Sequence, residues 1–203
     1  MRKRKPDYLK CIVIVHGKSE KQICSYIKSK LRFHMDIISR NNGESSIQIN
    51  GLTNFMNSDS RLKDINGFLK EYEDAEYSGK GKKRTLASYF KIFTIMDTDD
   101  CSDEQREKYI NKEMFKKHWA YDYIVPIFNT PELESVMVKA GIHFTKKGEE
   151  RKKEYIKIFP TSQKYIQNES IELNHFASDL KKVKNTNLDE FIEYCLDKSE
   201  SYV

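Results

Sequence analysis

The chain has 203 residues, 36 Lys and Arg against 31 Asp and Glu, a net charge of +5 and 38% hydrophobic residues. That balance excludes a fibrous or disordered chain and fits a folded, helix-rich α/β protein of one domain with or without an appendage. No apolar run is long enough to span a bilayer. The run behind the basic N-terminus, Cys11 to Val15, is too short for a signal-peptide core, so a cytoplasmic protein is expected.

Cys11, Cys24, Cys101 and Cys195 are scattered and form no CxxC pair, and the five histidines show no HExxH spacing. Reduced thiols are expected rather than a disulfide framework or a zinc site. Basic residues cluster at Arg2 to Lys5, at Lys80, Lys82, Lys83 and Arg84, at Lys146–Lys147 and at Arg151 to Lys153. Such clusters either contact phosphates or are solvated loops.

Lys10 to Val15 reads as a first buried strand running into His16-Gly17-Lys18-Ser19-Glu20. Ser19 and Gln22 have capping-box spacing, so a helix is expected from Ser19, with Ile23, Ile27 and Leu31 on its core face. Met35 to Ser39 and Ser46 to Asn50 read as short strands around an Asn41-Asn42-Gly43 turn. A helix is expected from Asp59 or Ser60 to about Ala75, with Leu62, Ile65, Phe68, Leu69 and Tyr72 on one face. Tyr77 to Arg84 reads as an exposed Gly/Lys loop.

Phe90 to Asp100, FKIFTIMDTDD, is an apolar, β-branched and aromatic run that ends abruptly in carboxylates. It predicts a strand buried on both faces. Carboxylates at the carboxyl end of such a strand are costly to bury without a cation, and that edge is where open α/β sheets bind ligands. Asp97 and Asp99 are therefore candidate ligands of a hard divalent cation; the plain alternative is a polar turn in which Asp is common.

Beyond them Ser102 and Gln105 predict a capped helix to about Lys117. Asp122 to Phe128 predicts a strand, which Pro126 assigns to an edge or a strand end. Pro131 suits the first turn of the next helix, in which Leu133, Val136, Met137 and Ala140 face the core. From Gly141 the pattern becomes a charged loop with a short helix, then helices over Ile171 to Val183 and Leu188 to Leu196, the last with Thr186 and Asp189 as its N-terminal signal. The expected organisation is an α/β core over 1–140 and a helical extension over 141–203 packed on it.

Three segments thus carry chemistry: His16 to Glu20 after the first strand, Asp97 and Asp99 after the central strand, and Glu134 after a later one. Parallel strands with right-handed crossovers bring all three to one sheet edge. Their oxygen ligands suit Mg²⁺ or Mn²⁺, which polarise phosphoryl groups.

The stretches VIVHGKSEKQI and IMDTDD resemble the strand–Glu–Gly and Asp-x-Asp motifs of Toprim domains. NTPELESVM and KNTNLDEFIEYCL resemble the RloB-like group, which lies near the OLD-type nucleases of phage-defence loci. The resemblance covers most of the chain. It implies a Rossmann-like core of mostly parallel strands between helices and metal-dependent phosphodiester cleavage in DNA or RNA. On the matching positions, Glu20, Asp97, Asp99 and Glu134 become metal ligands and catalytic carboxylates, and His16 stands where the family has Glu, as a candidate base. Lys18, with Lys80, Lys82, Lys83 and Arg84, becomes a candidate nucleic-acid contact. The OLD-type likeness adds an ATPase partner protein as a candidate, and a homo-oligomer is left open. The alternative is a catalytically degenerate Toprim-like module that binds nucleic acid or a partner protein. Topoisomerase or primase chemistry is not expected, because the chain is short for the extra domains those reactions use.

Overall fold

The structure, a computed structural model, describes residues 8–146, 148–161 and 169–199. The basic cluster at Arg2 to Lys5 and the cluster residue Lys147 lie outside the described residues. The fold is α/β: a four-stranded parallel sheet with strands in the order Met35–Ile38, Cys11–Val15, Lys91–Asp97 and Ile124–Asn129, flanked by helices on both faces and completed by C-terminal helices.

Strands β1 (Cys11–Val15) and β5 (Lys91–Asp97) are the central pair, in register from Cys11 opposite Lys91 to Val15 opposite Ile95. Their continuous apolar runs are what a strand covered on both faces requires. Cys11, Val13 and Val15 enter one core with helices α1 (Lys18–Leu31), α5 (Leu133–Lys139), α7 (Glu169–Leu180) and α8 (Leu188–Ser199). Ile12 and Ile14 enter the other core, against α2 (Ile49–Ser58), α3 (Ile65–Glu71) and α4 (Asp103–Ile110). In the first layer Phe93 of β5 meets Phe191 of α8 edge to face at 5.0 Å, so the last helix is seated on the central strand. Burying each such ring contributes about 1.5–3 kcal/mol.

Strand β2 (Met35–Ile38) lies at one edge and β6 (Ile124–Asn129) at the other, as Pro126 requires. The free edge of β6 is occupied by a side chain. Asn187 accepts from the Phe128 N–H at 2.9 Å and donates to the Pro126 carbonyl at 3.1 Å, standing in for a neighbouring strand.

Several expectations change. Ser46 to Asn50 is not a strand: Ile49 opens α2, whose buried Ile49, Leu52 and Met56 follow helical spacing. Two isoleucines two apart could not distinguish the periods. The helix expected from Asp59 begins only at Ile65. Asp64 caps it, accepting from the Asn66 and Gly67 N–H groups, while Asp59 is engaged by Arg61. The loop over Tyr77 to Arg84 is a minimal hairpin, β3 (Tyr77–Ser78) with β4 (Thr85–Leu86). The helix after Ser102 has both expected capping bonds but ends at Ile110, before a left-handed Lys112 (φ 61°). Pro131 lies just before the N-cap Glu132 of α5 rather than inside the helix. The short helix expected in the charged segment is α6 (Glu149–Ile158).

Candidate functional site

The carboxyl edge of the sheet gathers the groups that its motifs led one to expect. Helix α1 starts at Lys18 with Gly17 as N-cap, one residue before the Ser19 start. The difference has a local cause: Glu20, not Gln22, reaches back, its Oε2 accepting from the Gly17 N–H at 2.8 Å. Ser19 is thereby freed from capping, and its hydroxyl donates to Glu134 Oε1 at 3.2 Å. Gly17 is extended (φ −154°), so the turn does not depend on a left-handed glycine.

Asp97 ends β5 directly opposite Asn129, the last residue of β6. Its Oδ1 accepts from Asn129 Nδ2 at 3.2 Å and from the Leu133 N–H, in the first turn of α5, at 3.0 Å. Glu134 follows Leu133, so the turn that holds Asp97 also presents the next carboxylate. Asn129 is fixed from behind. Its Oδ1 accepts from Thr186 Oγ1 at 2.9 Å, and Thr186 Oγ1 in turn accepts from the Leu188 N–H at the start of α8. A relay thus runs from the cap of α8 to the carboxylate of β5. A strand-end Asn carries no signal of its own, so the sequence does not mark Asn129 as a site residue.

Burial decides the electrostatics. Asp97 is pushed up to about 9, first by desolvation and then by Glu20, against the Asn129 bond, with Glu134 and Asp99 adding to it. Glu20 is also raised, again chiefly by burial; His16 opposes the shift and Glu134 reinforces it. These carboxylates feel one another, which places Glu20, Asp97, Asp99 and Glu134 in one field with too little positive charge. Arg151 of α6 is the ion-pair partner found beside Glu134, Nη2 to Oε1 at 3.5 Å. Asp99 is exposed at the rim.

His16 continues the β1 ladder, donating its N–H to the Ile95 carbonyl and accepting from the Ile47 N–H. Its imidazole Nδ1 is buried without a hydrogen-bond partner, as is Oδ1 of Asp100. His16 offsets the burial that raises Asp100 as well. Nδ1 of His16 is therefore not tied to the backbone.

Lys18 is exposed and pairs with Glu44 at 2.8 Å, across from Gly43, whose φ of +94° lets it approach the Lys18 backbone. The Lys80, Lys82, Lys83 and Arg84 hairpin is elsewhere. It joins β5 at its amino end, with Leu86 held by Tyr123 just before β6, about 20 Å of strand away from Asp97. A groove of about 740 Å³ lined by Ser25, Lys28, Arg32 and His34 also lies at that end, at the C-terminus of α1. The carboxylates and these basic groups therefore occupy opposite edges.

Carboxylate oxygens are the ligand type that a hard divalent cation takes. The hydrogen bonds engage Oε2 of Glu20, Oδ1 of Asp97 and Oε1 of Glu134, leaving the second oxygen of each outside them. Among the described residues no group of three or more His, Cys, Asp or Glu side chains is placed so that it could hold a metal ion as it stands. No helix among them is long and apolar enough to cross a membrane. The fold and site define a parallel α/β protein with an acidic centre at the carboxyl edge of its sheet. No protein-family model matches the chain, and neither the curated proteins nor the solved structures with which it was compared match it.

Proposed function

We propose that the protein is a divalent-metal-dependent nuclease of the Toprim kind, cleaving phosphodiester bonds in DNA or RNA in the cytoplasm. The observation that carries this reading is the convergence of buried Glu20 and Asp97 with half-buried Glu134, delivered by three separate segments, with both buried carboxylates raised by desolvation, Asp97 further by Glu20 and Glu20 further by Glu134. An acidic cluster that costs stability in the free protein is an arrangement retained for a cation. Mg²⁺ or Mn²⁺ held by Glu20, Asp97 and Glu134, with Asp99 at the rim, would polarise a phosphoryl oxygen and lower the pKa of attacking water. Asn129 and the Leu133 N–H orient Asp97 for that role, and Ser19 orients Glu134. His16, with Nδ1 unpartnered and in the field of Glu20 and Asp100, is the proton acceptor in this reading. Lys18 is poised to meet substrate phosphate at the rim. Service in phage defence, with an ATPase partner or as a homo-oligomer, is the setting that the motif resemblance suggests.

The test is cleavage of plasmid DNA and of structured RNA with Mg²⁺ or Mn²⁺, comparing wild type with D97A and D99A. Loss of cleavage in variants that keep the wild-type circular dichroism is expected. Unchanged cleavage by both would sink the assignment. A second reading, a non-cleaving module that binds nucleic acid, draws on His16 in place of the expected Glu and on Arg151 already paired with Glu134. Nucleic-acid binding that persists in EDTA, with no cleavage under either metal, would favour it.

A further inference from the structure

Helix α6 comes from the charged segment after residue 140, which carries no part of the motif resemblance, yet it supplies a side of the acidic centre. Arg151 and Tyr155 are four residues apart and so share one face of the helix. Arg151 shows where that face looks: its guanidinium meets Glu134 Oε1 at 3.5 Å. Tyr155 is 1% exposed, its ring stacked between Phe144 at 4.9 Å and Phe159 at 6.0 Å. Its hydroxyl lies in the field of Glu134, Glu20 and Asp97, and it has no hydrogen-bond partner.

A buried hydroxyl without a partner destabilises the fold, and Phe would fill the same stacked slot without that cost. Packing therefore accounts for the ring and not for the oxygen. Burial among carboxylates keeps the phenol protonated, so at neutral pH it is a donor waiting for an acceptor. The carboxylates it faces are the groups assigned to the cation.

We propose that Tyr155 donates a hydrogen bond to an oxygen of the ligand that fills the acidic centre, either a water of the hydrated divalent cation or a phosphoryl oxygen. α6 is then a working wall of the site. This inference rests on the cation-site reading above.

Isothermal titration with Mn²⁺ alone, and with Mn²⁺ plus inorganic phosphate, on wild type and Y155F tests it, with melting curves in EDTA alongside. In EDTA the variant is expected to melt at or above the wild-type temperature. Its Mn²⁺ dissociation constant is expected to rise about three- to tenfold, the effect of one lost hydrogen bond. A loss seen with Mn²⁺ alone assigns the bond to the hydration shell; a loss confined to the phosphate arm assigns it to a phosphoryl oxygen. Equal affinities in both arms would overturn the role of Tyr155 and leave the cation site standing. Y155F melting well below wild type in EDTA would also overturn it, because the hydroxyl would then be structural. Wild type that binds no Mn²⁺ in either arm would remove the cation reading and this inference with it.

Discussion

Two groups of partly buried carboxylates in this molecule have opposite fates. Asp59 is met by Arg61 through a two-pronged contact, Nε to Oδ1 at 2.9 Å and Nη2 to Oδ2 at 2.7 Å. Arg61 also comes within 3.9 Å of Asp36, whose Oδ2 takes the Tyr72 hydroxyl at 2.7 Å. The hydrogen bonds from Arg61 outweigh burial, and Asp59 is held below the usual carboxylate range. Glu20 and Asp97, at the carboxyl edge, accept hydrogen bonds from neutral donors, burial outweighs the help His16 gives Glu20, neighbouring carboxylates add to it, and both are raised. The first cluster is complete within the protein. The second is complete only with a proton or a cation from outside, and that difference separates a structural acid from a candidate functional one.

The comparison can be broken most decisively by D97A. Cleavage supported by Mg²⁺ or Mn²⁺ should fall on the order of a thousandfold, as when a group that stabilises transition-state charge is lost. D59A should leave the rate per folded molecule unchanged. Single-turnover assays on both variants decide this.

N129A should follow, costing about 10- to 100-fold in metal affinity or rate by freeing Asp97 from its orienting donor. Manganese titration and initial rates would read that loss. No change in either would mean that the relay from Thr186 serves only to seal the β6 edge.

Stability should move in opposite directions in the two clusters. R61A should destabilise the protein by about 2 kcal/mol, because charge-assisted hydrogen bonds to Asp59 are lost. D97N should stabilise the metal-free protein at pH 8 by about 1–3 kcal/mol, because folding at that pH must return a proton to Asp97, a cost the amide does not carry, and the amide keeps an oxygen acceptor. Thermal melts in EDTA give both signs, and D97N less stable than wild type would contradict the assignment.

The most graded effect is with pH. Asp97 holds its proton more tightly folded than unfolded, so its contribution is fully present below the ordinary carboxylate value and fades as pH rises from about 4 to about 9. Asp59 has the reverse sign: its contribution is present above the unfolded value of 3.8 and is lost as pH falls through the lowered folded value. Metal-free protein should therefore lose stability gradually on the alkaline side, and D97N should flatten that limb. Saturating Mn²⁺ should flatten it too, since a bound cation replaces the proton and stabilises the folded state by mass action.

Local pattern carried the parallel α/β architecture and much of the acidic centre. The runs Cys11–Val15 and Ile92–Met96 are apolar but for Thr94, as doubly covered strands require, and carboxylates placed at their ends follow the sheet wherever it goes. The stripe Leu188, Phe191, Ile192, Cys195 and Leu196 likewise declared α8 before its packing was known. Short elements escaped, because a few residues do not separate a period of two from one of 3.6; α2 is the example.

Contacts made across the chain were decided by tertiary structure alone. Ser19 turning from a cap to Glu134, Asn129 linking α8 to Asp97, and Arg151 and Tyr155 looking in from α6 depend on partners from 17 to 115 residues away where a bond is formed. The same holds for the basic hairpin, adjacent in sequence to β5 yet at the wrong end of it for the carboxylates. A strand carries its two ends to opposite edges of the sheet, so nearness along the chain and nearness in space part company over its length. The carboxylates themselves were legible in the sequence. Which of them lacks a counter-charge was settled only by burial in the fold, because desolvation is a property of what surrounds a side chain and not of the residue itself.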